Sequence, residues 1–183
     1  SLAQQAALAL DNARLYRAAE DRTRQLQALT QVAERLSLTL QPDMLVESLL
    51  DHLKQVIPFD TGTLWLRQAE LLTVKAVQGF TDQDNRLGLT VAVDDSALLA
   101  EMVDSGEPVG VGNMNLDSRF PDLPERPNAS WLGIPLLIQG EVIGVIALEK
   151  QEPDYYGADI VQIATTFASQ ASVALQNANL FDE

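Results

Sequence analysis

"SWLGIPLLIQGEVIGVIALEK", residues 130–150, holds two apolar runs that meet at Gln139, Gly140 and Glu141. Apolar residues on either side of a short polar, glycine-bearing break read as an antiparallel hairpin. Val142 to Leu148 is apolar on both pleat faces, so the second strand belongs in the middle of a sheet that is covered on both sides. A sheet with two covered faces needs further strands beside it and helices or loops above and below it.

The flanking sequence supplies them. "TGTLWLRQ" (61–68) and "LLTVKAVQG" (71–79) are rich in β-formers and separated by a polar turn at Ala69 and Glu70, which predicts a second hairpin. "LGLTVAVD" (87–94) is a weaker extended stretch. "SALLAEMVDSGE" (96–107) is an amphipathic helix closed by Gly106, and "PVGVGNM" (108–114) a short strand. Pro121, Pro124 and Pro127 keep 115–130 from forming a regular helix, so it is a loop. Upstream, a helix opens with Pro42 and Asp43 in its first turn, carries Leu45, Leu49, Leu53 and Val56 on one stripe, and stops before Pro58. Downstream, a helix from about Ala158 to Phe181 carries Ile160, Ile163, Phe167, Ala171, Ala174 and Ala178 on one stripe.

Residues 1–37 contain no Gly or Pro and are strong helix formers, which predicts one long helix reaching to about residue 40. Its 3.5-residue seam is Leu8, Asn12, Leu15, Ala19, Arg22, Leu26, Leu29, Ala33, Leu36 and Leu40, the spacing of a helix that pairs with another. A helix lying on its own domain is the alternative. Asn12 and Arg22 interrupt the seam, as polar groups that fix register do. The seam residues Leu8, Asn12, Leu15, Arg22, Leu26, Leu29 and Leu36 are the candidate dimer interface.

Composition excludes several classes. The 183 residues carry 12 basic and 26 acidic side chains, a formal charge of −14 that disfavours phosphate backbones and hence nucleic acid as a partner. There is no cysteine, which removes disulfides, thiolate metal sites, a cysteine nucleophile and thioether-linked chromophores. Apolar runs are too short for a membrane span and no leader opens the chain, so the expected location is cytosolic, without membrane contact. His52, the one histidine, lies off the apolar stripe of its helix and reads as a surface residue rather than a haem or metal ligand. No phosphate-cradling glycine loop or paired metal carboxylates appear, so an enzyme is not expected and no catalytic residue is assigned.

The order helix, helix, antiparallel strands, helix, loop, hairpin, helix resembles the GAF family of sensory domains over roughly 24–181. The resemblance is carried by "DSGEPVGVGNMNLDSRF" (104–120), by "SWLGIPLLIQGEVIGVIALE" (130–149) and by "YGADIVQIATTFASQASVALQNANLF" (156–181). It implies an α+β fold: a central antiparallel sheet of about six strands, with the N- and C-terminal helices on one face and short helices and loops on the other. The implied division is a signalling helix over 1–40, a GAF core over 41–157 and an exit helix over 158–183.

The chain also ends much as it begins. Ala3, Gln5, Ala6, Ala9, Leu10, Asn12, Ala13 and Leu15 match Ala168, Gln170, Ala171, Ala174, Leu175, Asn177, Ala178 and Leu180 at an offset of 165 residues. Residues 1–16 thus resemble the exit helix of a preceding copy, which implies a tandem array in a longer signalling protein.

Function sits in the site rather than the fold. Bilin-attaching and sulfoxide-reducing members of the family use cysteine, absent here. Cyclic-nucleotide members carry an Asn, Lys, Phe, Asp, Glu signature, and the lysines here are only Lys54, Lys75 and Lys150. Haem-binding members need a pocket histidine, and His52 is on the wrong element, so no cofactor is identifiable. The family geometry implies that a pocket, if present, lies between the sheet and 87–130, lined by Phe80, Leu98, Met102, Val109, Met114, Phe120, Trp131 and Ile134. Core filling is the plainer reading of each. Asp117 and Arg119 read as a local ion pair or cap. The expected function is a GAF module that relays signals through its terminal helices, as a homodimer, to a kinase, cyclase or phosphatase output domain in the same parent chain. Non-covalent small-molecule sensing and a ligand-free structural relay are its two forms.

Overall fold

The computed structural model describes residues 42–120 and 129–179 and, before them, only Arg14, Arg17 and Asp21, each helical. The long helix of 1–40, its seam residues Leu8, Asn12, Leu15, Arg22, Leu26, Leu29 and Leu36, and the Pro121–Pro127 stretch lie outside the described residues.

The hairpin of 130–150 forms as β5 (Ser130–Ile138) and β6 (Glu141–Lys150). Its two-residue connection puts Gln139 at φ 52° and Gly140 at φ 86°, the double left-handed conformation whose twist matches that of the strands. The other strands are β1 (Thr61–Gln68), β2 (Leu71–Gln78), β3 (Thr90–Ala92) and β4 (Val109–Val111). All six pair antiparallel in the order β3-β2-β1-β6-β5-β4. β6, the strand apolar on both faces, lies between β1 and β5 at the centre.

Helix α1 (Pro42–Val56) precedes the sheet, α2 (Gln83–Arg86) is a single turn, α3 (Ala97–Ser105) follows β3, and α4 (Ala158–Asn179) leaves the sheet. α1 packs on β1, β2 and α4, while α4 packs on β5. Together they bury one sheet face: Leu45, Leu49, Leu53 and Phe167 meet Leu64, Leu132, Ile134, Leu136, Ile146 and Leu148. Ala164, Ala168, Ala171 and Ala174 line α4 where it approaches its neighbours, and their small side chains permit close helix contact. α3 covers the other face. The architecture is the expected α+β fold, with terminal helices on one side and the short helix and loops on the other.

Two register shifts let single strands serve both layers. Between Leu64 and Trp65 the β1–β2 register slips by one residue of β2, so Leu72 joins the α3 side while Ala76 joins the helix side. A second slip, between Leu136 and Leu137, places Val142 and Val145 on the same α3 side although they are three positions apart. An extra residue inverts the alternation beyond it. Among the described residues, no helix is long and apolar enough to cross a membrane.

Candidate functional site

The α3 side of the sheet is a second apolar cluster, separate from the helix-side core. α3 contributes Leu98 and Met102, β4 contributes Val109 and Val111, and Met114 follows from the loop. From the sheet come Leu72, Trp131, Val142 and Val145, with Phe120 packed at the margin. Met102 is fully buried at 0 % exposure. Gly133, two residues along β5 from Trp131, explains how such large groups fit. A Cβ at Gly133 would lie 2.5 Å from Met102 Sδ and against the edge of the Trp131 ring. The thioether and the indole therefore occupy the space above a strand position that has no side chain.

α3 is positioned by both of its ends. Ser96 Oγ accepts the Leu99 N–H at 3.4 Å, an N-cap. Gly106, at φ 68°, adopts the left-handed conformation and its N–H reaches Met102 O at 2.9 Å, a C-cap that glycine takes without steric cost.

The segment after β4 returns toward α3 through Arg119. Its Nη2 donates to Asp117 Oδ2 at 2.7 Å, its Nε to Asp117 Oδ1 at 3.0 Å, and its Nη1 to Glu101 Oε2 at 2.8 Å. The Asp117 carboxylate also accepts the Arg119 backbone N–H at 2.9 Å. This arginine, through side chain and backbone, holds the Asp117 carboxyl down at about 2, against burial that acts weakly the other way. Next to it, Phe120 meets Trp131 edge to face, with centroids 5.8 Å apart at 77°.

Six of the eight residues expected to line one face are brought together here: Leu98, Met102, Val109, Met114, Phe120 and Trp131. Two are not. Ile134 lies on the helix side; it is three residues from Trp131 in one strand, and odd spacing puts two side chains on opposite faces. Phe80 stands in the turn after β2, where the Arg86 guanidinium sits 4.1 Å from its ring centroid. The residues that complete the cluster without having been singled out are Leu72, Val93, Val111, Val142 and Val145. Strand alternation gives Val111 and Val109 a common face, whereas the slipped registers hide Leu72, Val142 and Val145, and Val93 lies in the turn after β3.

Two further polar contacts lie away from this face. His52 is half-buried and its Nδ1 lies 2.6 Å from Ser48 O on the preceding turn of α1. At the far end of β6, Lys150 Nζ donates to Asp60 Oδ1 at 2.9 Å and the Gln151 N–H donates to Oδ2 at 2.7 Å. Burial works against the charged carboxylate, but these donors outweigh it and hold Asp60 below the usual range. Among the described residues no group of three or more His, Cys, Asp or Glu side chains could hold a metal ion.

A family model described as the GAF domain matches residues 39–176. The chain belongs to the GAF family. Solved structures agree on the fold. The GAF domain of a phosphoenolpyruvate-protein phosphotransferase from Coxiella burnetii superimposes with a TM-score of 0.74 at 18 % identity, over 85 % of this chain and 95 % of that one. The corresponding domain from Acinetobacter gives 0.72 at 18 %, over 85 % and 95 %. A free methionine-R-sulfoxide reductase from Neisseria meningitidis, solved with its substrate, gives 0.70 at 13 %, over 84 % and 89 %. Enzymes and domains of larger proteins thus share this GAF scaffold.

Proposed function

We propose that this GAF domain is a non-catalytic relay module of a multidomain signal-transduction protein, and that it self-associates through α4. One observation carries the reading: residues 160–179, nearly the whole of α4, hold no Asp, Glu, Lys or Arg, in a chain of net charge −14. The face of α4 turned to solvent presents Gln162, Thr165, Ser169 and Val173, the last 53 % exposed. Charge depletion marks the centre of protein interfaces, and a strongly acidic chain meets a second copy of itself most readily where it carries no charge. α1 and α4 pack on one sheet face and on each other, so a displacement at either end has a rigid route to the other. The output reached along α4 would be a kinase, cyclase or phosphatase domain of the parent chain. Absence of cysteine and the occupation of His52 by a backbone carbonyl support a role without chemistry.

The Met102 and Trp131 side chains above Gly133 favour the ligand-free form of the relay, because those groups already fill the face where a small molecule would sit. Native mass spectrometry of the purified chain tests both parts. A bare dimer that becomes monomeric on Val173→Glu is the expected result. A monomer at high concentration overturns the pairing, and a stoichiometric retained small molecule overturns the ligand-free form.

A further inference from the structure

The α3 side of the sheet is electrostatically lopsided. Between 87 and 120 the chain carries six acidic side chains, Asp94, Asp95, Glu101, Asp104, Glu107 and Asp117, and a single basic one, Arg119. Within α3 itself Glu101 stands at the middle and Asp104 in the last turn, which has no basic residue. Negative charge at a helix C-terminus opposes the helix dipole. The helix is nine residues long, too short to be stable on its own, so it depends on its packing and on what surrounds it. Arg119 offsets part of that negative charge and ties the helix to the neighbouring segment. It reaches Glu101 on α3 and Asp117 on its own segment, and the closure it makes sets Phe120 against Trp131.

We propose that Arg119 is a charge clamp: a cation that holds α3 and the 113–120 turn closed over Met102 and Trp131, on a flap whose acidic residues otherwise repel one another. The flap is a separable unit. Its apolar cluster and the helix-side core lie on opposite faces of the sheet and share no residues, so α3 opens without disturbing α1 and α4. Whatever neutralises or competes with the guanidinium therefore exposes the Trp131 face while leaving the relay helices intact. This holds whether or not two copies pair through α4.

The test uses the whole chain with Trp65→Phe, which leaves Trp131 as the only tryptophan, and reads acrylamide quenching of its emission. Arg119→Gln is expected to raise the quenching constant severalfold at low ionic strength. Because the cause is repulsion between acids, two remedies are expected to restore shielding. One is about 0.5 M salt, which shortens the screening length to a few ångströms. The other is a second substitution, Glu101→Gln, that removes one of the repelling charges. Amide exchange over Ala97–Ser105, measured with Trp65 intact, should move in the same sense. If Arg119→Gln leaves Trp131 as shielded as in the parent, the clamp is overturned. It is also overturned if the opening is unmoved by both salt and Glu101→Gln, since arginine would then act by packing. Should Arg119→Gln unfold the chain at low salt, recovery of the fold in salt supports the clamp and failure to recover overturns it.

Discussion

Gly133 has no side chain, and two neighbours use the space one would take. Gly133→Ala pushes a methyl group into Met102 Sδ and the Trp131 ring, so it should destabilise the fold by about 1–3 kcal/mol, as overpacking does. Combined with Met102→Ala, which vacates the same space, the loss should be clearly less than the sum of the two single losses; urea denaturation of all three variants checks this. Asp117 gives a pH test with a definite sign. Its carboxyl sits at about 2 against an ordinary 3.8, so the ionised form is favoured by folding. Its contribution is complete above 3.8 and is lost as pH falls through that window toward 2. Trp131 emission in the Trp65→Phe chain should shift as the segment loosens over that interval, and Asp117→Asn should remove that component. The large apolar members of this cluster were legible through the family resemblance, which implied a site between the sheet and 87–130. The glycine was not, since its importance lies in contacts made from α3, some thirty residues away. Ile134 was misplaced on the α3 side for a simpler reason: alternation along β5 forbids it from sharing a face with Trp131.

Among the elements, the β5–β6 hairpin depends on a turn whose first residue is poorly suited to it. Gln139 holds φ 52°, which costs a residue with a Cβ about 1 kcal/mol relative to glycine. Gln139→Gly should therefore raise stability by up to about 1 kcal/mol, and Gly140→Ala, at φ 86°, should lower it by a similar amount. Thermal melts of the two variants moving in opposite directions would verify the assignment; parallel shifts would refute it. The turn, the closure of α3 at Gly106 and the central placement of β6 could all be read from local chemistry; the Ser96 cap was not singled out. The weaker stretch 87–94 could not be resolved so finely. Only Thr90–Ala92 pairs as a strand, because Gly88, at φ 80°, turns the chain before it and Val93–Asp95 tightens into a 3-10 turn after it. The register slips opposite Leu64 and Leu136 were equally hidden, since a bulge is a property of two strands and one strand's sequence does not announce it.

On the scale of the whole molecule, a strand apolar on both faces demanded cover on both, and the resemblance to the GAF family implied which elements supply each cover. What neither revealed is that the two covers are unequal. The helix side buries Phe167 and the leucines of α1 against four strands, whereas the α3 side rests on a nine-residue helix and an ionic clamp. Stability should be distributed accordingly, since regions with fewer buried apolar contacts open first. Leu49→Ala, at a fully buried position of α1, should cost about 2–5 kcal/mol and lower amide protection throughout the sheet and α4. Leu98→Ala removes the same side chain from α3, where it is 3 % exposed. It should accelerate exchange over Ala97–Ser105 and Val109–Val111 while leaving the most protected amides of β6 and α4 much less affected. Equal loss of protection everywhere in both variants would mean that the two faces unfold as one unit. A domain of that kind could not open one side while holding its entrance and exit helices in place, and both the clamp and the separation of relay from flap would fail together.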